Sequence, residues 1–127
     1  MDTLVTNANL HFEHKSWLNE IAFWMDEIRS FQNRMEEIEE RWTDNMVLAE
    51  LGQFQNQMII HKNRIEKLRE EIEAHEHSIA ETIDKVNEAV DRIGFRYHLD
   101  MREKIETERV MFHDLKKRFF SFLSKYM

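Results

Sequence analysis

The chain has 127 residues, enough for one domain with its own core. Hydrophobic residues make up 42% and charged residues 34%, with two glycines and no proline, which excludes disorder and argues against a β-fold, whose turns need such residues at short intervals. The net charge of −7 disfavours a general phosphate-binding surface, so no nucleic acid partner is expected, and the lack of cysteine removes disulfides, thiolate metal sites and thiol catalysis.

Residues 1–9 carry no basic residue and no long apolar run, unlike a secretory signal. No apolar stretch approaches the roughly 20 residues of a spanning helix. A soluble cytoplasmic protein is the expectation.

The first helix is predicted over about residues 10–42, with Asn9 as its N-cap. Its heptad positions are Leu10, Trp17, Trp24, Phe31 and Ile38, alternating with His14, Ile21, Ile28, Met35 and Trp42. This unbroken 3–4 spacing marks one seam laid against partner helices, and only His14 interrupts it with a polar side chain. Thr43, Asp44 and Asn45 are cap and turn residues, so a tight helix–helix turn is expected there. The second helix is predicted over about 46–77, with a stripe through Leu48, Leu51, Gln55, Met58, His61 or Lys62, Ile65, Leu68, Ile72 and His75. Ser78-Ile79-Ala80-Glu81 matches a capping box, and Gly94 suits a helix C-terminus. A short helix or helical crossover is therefore expected over about 79–93. The last helix is predicted over about 97–126, with a seam through His98, Met101, Ile105, Glu108, Phe112, Leu115, Phe119, Phe122 and Tyr126.

Two arrangements fit this pattern. One is an all-α antiparallel up-down-up bundle in a single domain over residues 1–127. The other is a long hairpin whose second helix runs on to Ile93. The glutamates between Glu36 and Glu40 end the first helix, where acidic charge opposes the helix dipole. In the compact bundle Lys116, Lys117, Arg118 and Lys125 lie at that same end, so the bundle is preferred.

In a hairpin turning at Asp44 and Asn45, His14 lies level with His75, and in the compact bundle His98 joins the same layer. Three histidines from three helices, with Glu13, His11 and Glu76 adjacent, form a candidate site for zinc or iron, since neutral imidazole is a common ligand. The ordinary alternative is a layer of partly solvated histidines near the helix ends. Known bundle metal motifs at one-turn spacing are absent; the nearest approaches are His11 with His14 and His98 with Glu103. Glu108 is the other polar seam residue, and Arg64 and Arg69 are its expected partners. Gln53-Phe54-Gln55-Asn56-Gln57 is an amide cluster, with Gln55 expected to set register as a buried amide.

The basic, aromatic C-terminal stretch holds Lys116, Lys117, Arg118, Phe120 and Leu123, which could meet a protein partner or a membrane surface; the simpler reading is core and helix-end charge. Partner docking or self-association is preferred over a membrane. Nothing resembles a catalytic triad or phosphate loop. The first functional reading is thus a non-enzymatic interaction or scaffold bundle, with a protein partner or a homo-oligomer expected, and the alternative is a metal-binding bundle.

His11-Phe12-Glu13-His14-Lys15, followed by Trp17-Leu18-Asn19-Glu20-Ile21, then Phe54-Gln55-Asn56-Gln57 and the phenylalanine-rich end, resemble a family of small uncharacterised bacterial all-helical proteins. The resemblance spans most of the chain. It implies an all-α fold of this size and carries over no activity.

Overall fold

The computed structural model describes residues 7–80 and 92–127. Three helices fill them: α1 (Asn7–Arg41), α2 (Asn45–Ala80) and α3 (Arg92–Tyr126). The expected crossover over 79–93 lies largely outside the described residues.

Asp44 starts α2. Its carboxylate accepts hydrogen bonds from the backbone N–H of Met46 at 2.8 Å and of Val47 at 3.3 Å. Those amides have no partner inside the helix, so the cap satisfies donors that the helix leaves open. At the same end the Trp42 indole N–H donates to the Tyr126 carbonyl at 2.9 Å, and the two rings meet edge to face at 5.3 Å. The last turn of α3 is thereby tied to the last turn of α1.

The core follows the predicted seams. Trp17, Ile21, Trp24, Ile28, Phe31, Met35 and Ile38 are buried from α1, against Ile65, Met58 and Leu51 from α2 and Ile105, Phe112 and Phe119 from α3. Phe54 of α2 packs on Phe119 and Phe122 at 5.5 and 5.1 Å. These contacts run α3 back along α2, which is the compact bundle and not the long hairpin. On this face Phe54 occupies the buried seam position. Gln55 is only half-buried and donates to Glu39 at 3.4 Å, so the expected buried amide is an edge contact instead.

Three expected boundaries shift. α1 begins at Asn7, so Asn9 lies within the first turns and not at the cap. α2 passes through Ser78, where the capping-box match predicted a new start. α3 begins at Arg92 and carries Gly94 inside it, and no glycine among the described residues has positive φ. An internal glycine of this kind carries the usual cost of about 1 kcal/mol.

The charge argument for the topology reached the right arrangement by the wrong pairs. Lys116 binds Glu27 at 3.1 Å, Arg118 binds Asp114 at 3.2 Å, and the acidic end of α1 is answered by Arg34 on Glu37 and by Gln55 on Glu39. The pairing that does join α1 and α3 is a ladder. Arg102 binds Glu13 at 2.7 Å, Arg109 binds Glu20 at 2.7 Å and Lys116 binds Glu27, each pair 89 residues apart. Such edge pairs set orientation and register in helical bundles.

Glu108 lies in the core with His61, not with arginine. His61 Nδ1 is 2.5 Å from Glu108 Oε2, and both residues are 4% exposed. Arg64 instead directs a guanidinium N–H to Met111 Sδ at 3.8 Å. The two expected arginines are displaced because His61 occupies the seam, where its short ring reaches Glu108 without leaving the core.

Two stability outcomes follow from these positions. Glu108→Ala leaves the His61 imidazole buried without its partner and should cost about 3 kcal/mol in urea unfolding. The double change His61→Leu with Glu108→Met should recover most of that loss; a double variant as unstable as the single one would contradict the pair as its source. Gly52 is exposed within α2, and a Cβ there meets nothing within 4 Å. Gly52→Ala should therefore raise the unfolding free energy by about 0.5–1 kcal/mol, read from the same titration.

Candidate metal centre

His14 is placed by α1, His75 by α2 and His98 by α3, and the bundle register brings all three rings into one layer. His14 Nε2 is 3.1 Å from His98 Nδ1 and 3.2 Å from His75 Nδ1, and one nitrogen from each ring lies within 4.8 Å of the other two. His14 and His98 are fully buried and His75 is half-buried. The expectation of a partly solvated layer near the helix ends is thus corrected for two of the three rings. The reason is length: each helix continues beyond the layer, and Leu10, one turn outward on α1, is itself buried.

The floor of the layer is aromatic. Trp17 stacks on His98 at 4.9 Å between centroids and lies 5.5 Å from His14. On the outer edge, the Tyr97 ring stands 4.7 Å from His75.

Of the three polar neighbours expected beside the histidines, Glu13 and Glu76 reach them, and His11 joins through Glu76. Glu76 spans two imidazoles: Oε1 lies 2.9 Å from His14 Nδ1, while Oε2 meets His11 Nδ1. Glu13 Oε1 lies 2.5 Å from His98 Nε2. Arg102 then grips Glu13 with two N–H donors at 2.7 and 3.0 Å. Arg102 was missed in the sequence. The signal was present as a heptad repeat on each helix: Glu13, Glu20 and Glu27 on α1, against Arg102, Arg109 and Lys116 on α3.

These contacts assign the protons. A carboxylate accepts, so His14 donates through Nδ1 and His98 donates through Nε2. A neutral imidazole carries one N–H. The inward nitrogens, His14 Nε2 and His98 Nδ1, are then both lone-pair donors, facing each other across 3.1 Å. If His75 Nδ1–H satisfies His14, the His98 lone pair still faces an acceptor. With both rings neutral, one added proton or one cation would satisfy the facing pair.

Added protons are disfavoured on His14 and His75. Burial pushes the His14 pKa down, followed by the charge of His98, and the Glu76 carboxylate only partly opposes them. Burial, then the neighbouring His14 and His98, push His75 from 6.5 to about 4. Partial burial works to raise Glu13, but the hydrogen bonds from Arg102 and His98 and the Arg102 charge outweigh it and hold the carboxyl low and ionised. Carboxylates behind the rings, with protonation disfavoured on His14 and His75, are an arrangement that can hold a cation.

The second group of candidate residues is dispersed. Lys116 is bound to Glu27 and lies 5.0 Å over the Phe112 ring. Arg118 pairs with Asp114, Lys117 is exposed, and Leu123 packs against the core. Phe120 is 50% exposed yet meets Phe31 edge to face at 5.5 Å. His77, two residues beyond His75, is exposed, and Glu103 is exposed away from the layer. No helix among the described residues is long and apolar enough to cross a membrane.

The lowered histidine values fix a pH dependence for the metal-free protein. A histidine that is harder to protonate when folded binds fewer protons folded than unfolded, so stability rises with pH across that interval. For His75 the contribution is complete above 6.5 and is lost as pH falls toward about 4. Urea unfolding of metal-free protein should show a stability loss over this window, and His75→Phe should flatten it. An unchanged slope in that variant would place the pH dependence elsewhere.

Comparison of the chain with protein-family profiles, with curated proteins and with solved structures returns no match, so function is read from this geometry alone.

Proposed function

We propose that this chain is a metal-binding helical bundle in which His14, His75 and His98 hold one divalent ion of the zinc or ferrous class. The observation that carries this reading is the mutual approach of three imidazole nitrogens from three helices. Zinc–nitrogen bonds of about 2.0–2.1 Å in a tetrahedron place ligand nitrogens about 3.3 Å apart. Two of the three edges here are 3.1 and 3.2 Å. The third is wider, and rotation of the half-buried His75 ring would close it.

The outer contacts support the same reading. Histidine ligands commonly donate their remote N–H to a carboxylate, which orients the ring and raises its basicity. Here Glu76 accepts from His14 and Glu13 accepts from His98. An ion joined to all three helices also acts as a cross-link, so its binding energy is added to folding. The interaction or scaffold role retains the exposed Phe23 and Phe120 as its support, but no observation says what would cover them. The histidine layer is the more specific feature.

The test uses protein purified without a histidine tag and stripped with chelator. Calorimetric titration should give one zinc per chain, with a rise in melting temperature in the same samples. At free zinc 100-fold above the dissociation constant the stabilisation is about 2.7 kcal/mol. His75→Ala, at the half-buried position, should weaken binding while the apo protein stays folded. Under about a tenth of an equivalent bound, with zinc and with ferrous ion alike, sinks the proposal.

A further inference from the structure

We propose that Arg102 is a positioning residue of the metal centre: it holds Glu13 behind His98, so that the ring keeps Nε2–H outward and Nδ1 toward the ion. The inference rests on the metal reading above and adds to it a residue outside the ligand set.

Imidazole chemistry calls for such a residue. A neutral ring has two tautomers, and only the nitrogen without a proton can bind a metal. The hydrogen bond made by one nitrogen therefore decides which nitrogen is left as ligand. For His98 the inward nitrogen is Nδ1, 3.1 Å from His14 Nε2, and the outer one is Nε2, 2.5 Å from Glu13 Oε1. Among the described residues, the group able to share an ion holds the three histidines and no carboxylate. Glu13 thus acts on the ring and not on the ion.

Glu13 is only half-buried, and alone its carboxylate could turn to water. Arg102 prevents this at two points. Its Nη2–H donates to Oε1 at 2.7 Å and its Nε–H to Oε2 at 3.0 Å. A planar fork of this kind fixes the rotation of the carboxylate as well as its position. Oε1 then accepts from Arg102 and from His98 together, one donor for each of its two lone pairs. Glu76, behind His14, has instead the exposed His11 ring on its second oxygen. The outer contact of His98 is the one anchored by a guanidinium, which keeps its charge at any ordinary pH.

Arg102 is also a rung of the α1–α3 ladder, and the next rung separates the two roles. Arg109 holds Glu20 in the same two-point way, at 2.7 and 2.8 Å. The two arginine side chains are about equally exposed, at 41% and 45%. The Arg109 rung lies seven residues further along each helix, roughly 10 Å from the first, and among the described residues Glu20 bonds to no imidazole. Register alone predicts the same effect from losing either rung. A role at the site predicts an effect from Arg102 only.

The experiment uses the full chain, labelled with nitrogen-15 and stripped of metal. Long-range proton–nitrogen NMR at about pH 8.5, above the ordinary imidazole value of about 6.5, reads the His98 tautomer. Calorimetry on the same preparations reads zinc affinity. The unaltered chain should show His98 with its proton on Nε2. Arg102→Met should populate the Nδ1–H form and weaken zinc binding roughly tenfold, as loss of outer contacts to ligand histidines does. Arg109→Met should leave the tautomer and the zinc affinity unchanged. Arg102→Lys, which keeps the charge and loses the fork, should fall between the two, and it carries the test alone if Arg102→Met does not fold. An unmoved His98 tautomer, or equal weakening of zinc by Arg102→Met and Arg109→Met, would make Arg102 a rung and nothing more, with the metal reading intact. An unaltered chain that binds no zinc would remove the metal reading and this assignment together.

Discussion

The register between α1 and α3 is the constraint on which the histidine layer depends. Glu13, Glu20 and Glu27 meet Arg102, Arg109 and Lys116 at one constant offset of 89 residues. Partly exposed ion pairs contribute only about 0.2–1 kcal/mol each, so the ladder adds little to stability compared with the buried aromatic seam. Its effect is on alternatives. Sliding α3 by one turn moves its side chains about 5.4 Å along the bundle and breaks every rung together. The same slide would carry His98 away from His14, whose facing nitrogens are now 3.1 Å apart. Arg102 couples the two roles directly, because the Glu13 that it grips is the carboxylate on His98.

Much of this was legible in the chain. Seam spacing places α1, α2 and α3 because helical periodicity and burial are the same fact seen twice. The convergence of His14, His75 and His98 follows from level-matching across two turns, and it needs only the turn at Asp44 and the length of the connection before α3. Other features were not legible for identifiable reasons. Ser78 and Gly94 carry local signals for helix ends, yet α2 and α3 run through them; a local propensity is worth only about 1 kcal/mol and is a weak guide to a helix boundary. The partner of Glu108 was misassigned to arginine because charge complementarity was weighed without reach. His61 shares the core face with Glu108, while Arg64 reaches outward to Met111. The ladder is harder to read because its rungs lie a heptad apart on each helix, whereas the acidic residues that end α1 stand together in the sequence.

The bundle carries two polar layers in an otherwise apolar core, and comparing them sharpens the reading of each. The His61–Glu108 pair is complete in itself: one imidazole N–H meets one carboxylate in a site sealed from water. A buried pair of this kind restricts which helix faces can be paired, whatever its net contribution to stability. The layer of His14, His75 and His98 differs in its direction of polarity. Its carboxylates lie outside the ring of imidazoles and draw the N–H groups outward, so that lone pairs are turned toward the centre. In the core pair the Glu108 carboxylate lies inside the core with His61. The three-histidine layer places carboxylates behind its rings. The difference separates two polar layers of one core: the first is a specifying contact between two helices, and the second has the outward-facing carboxylates that the proposed ligand set requires.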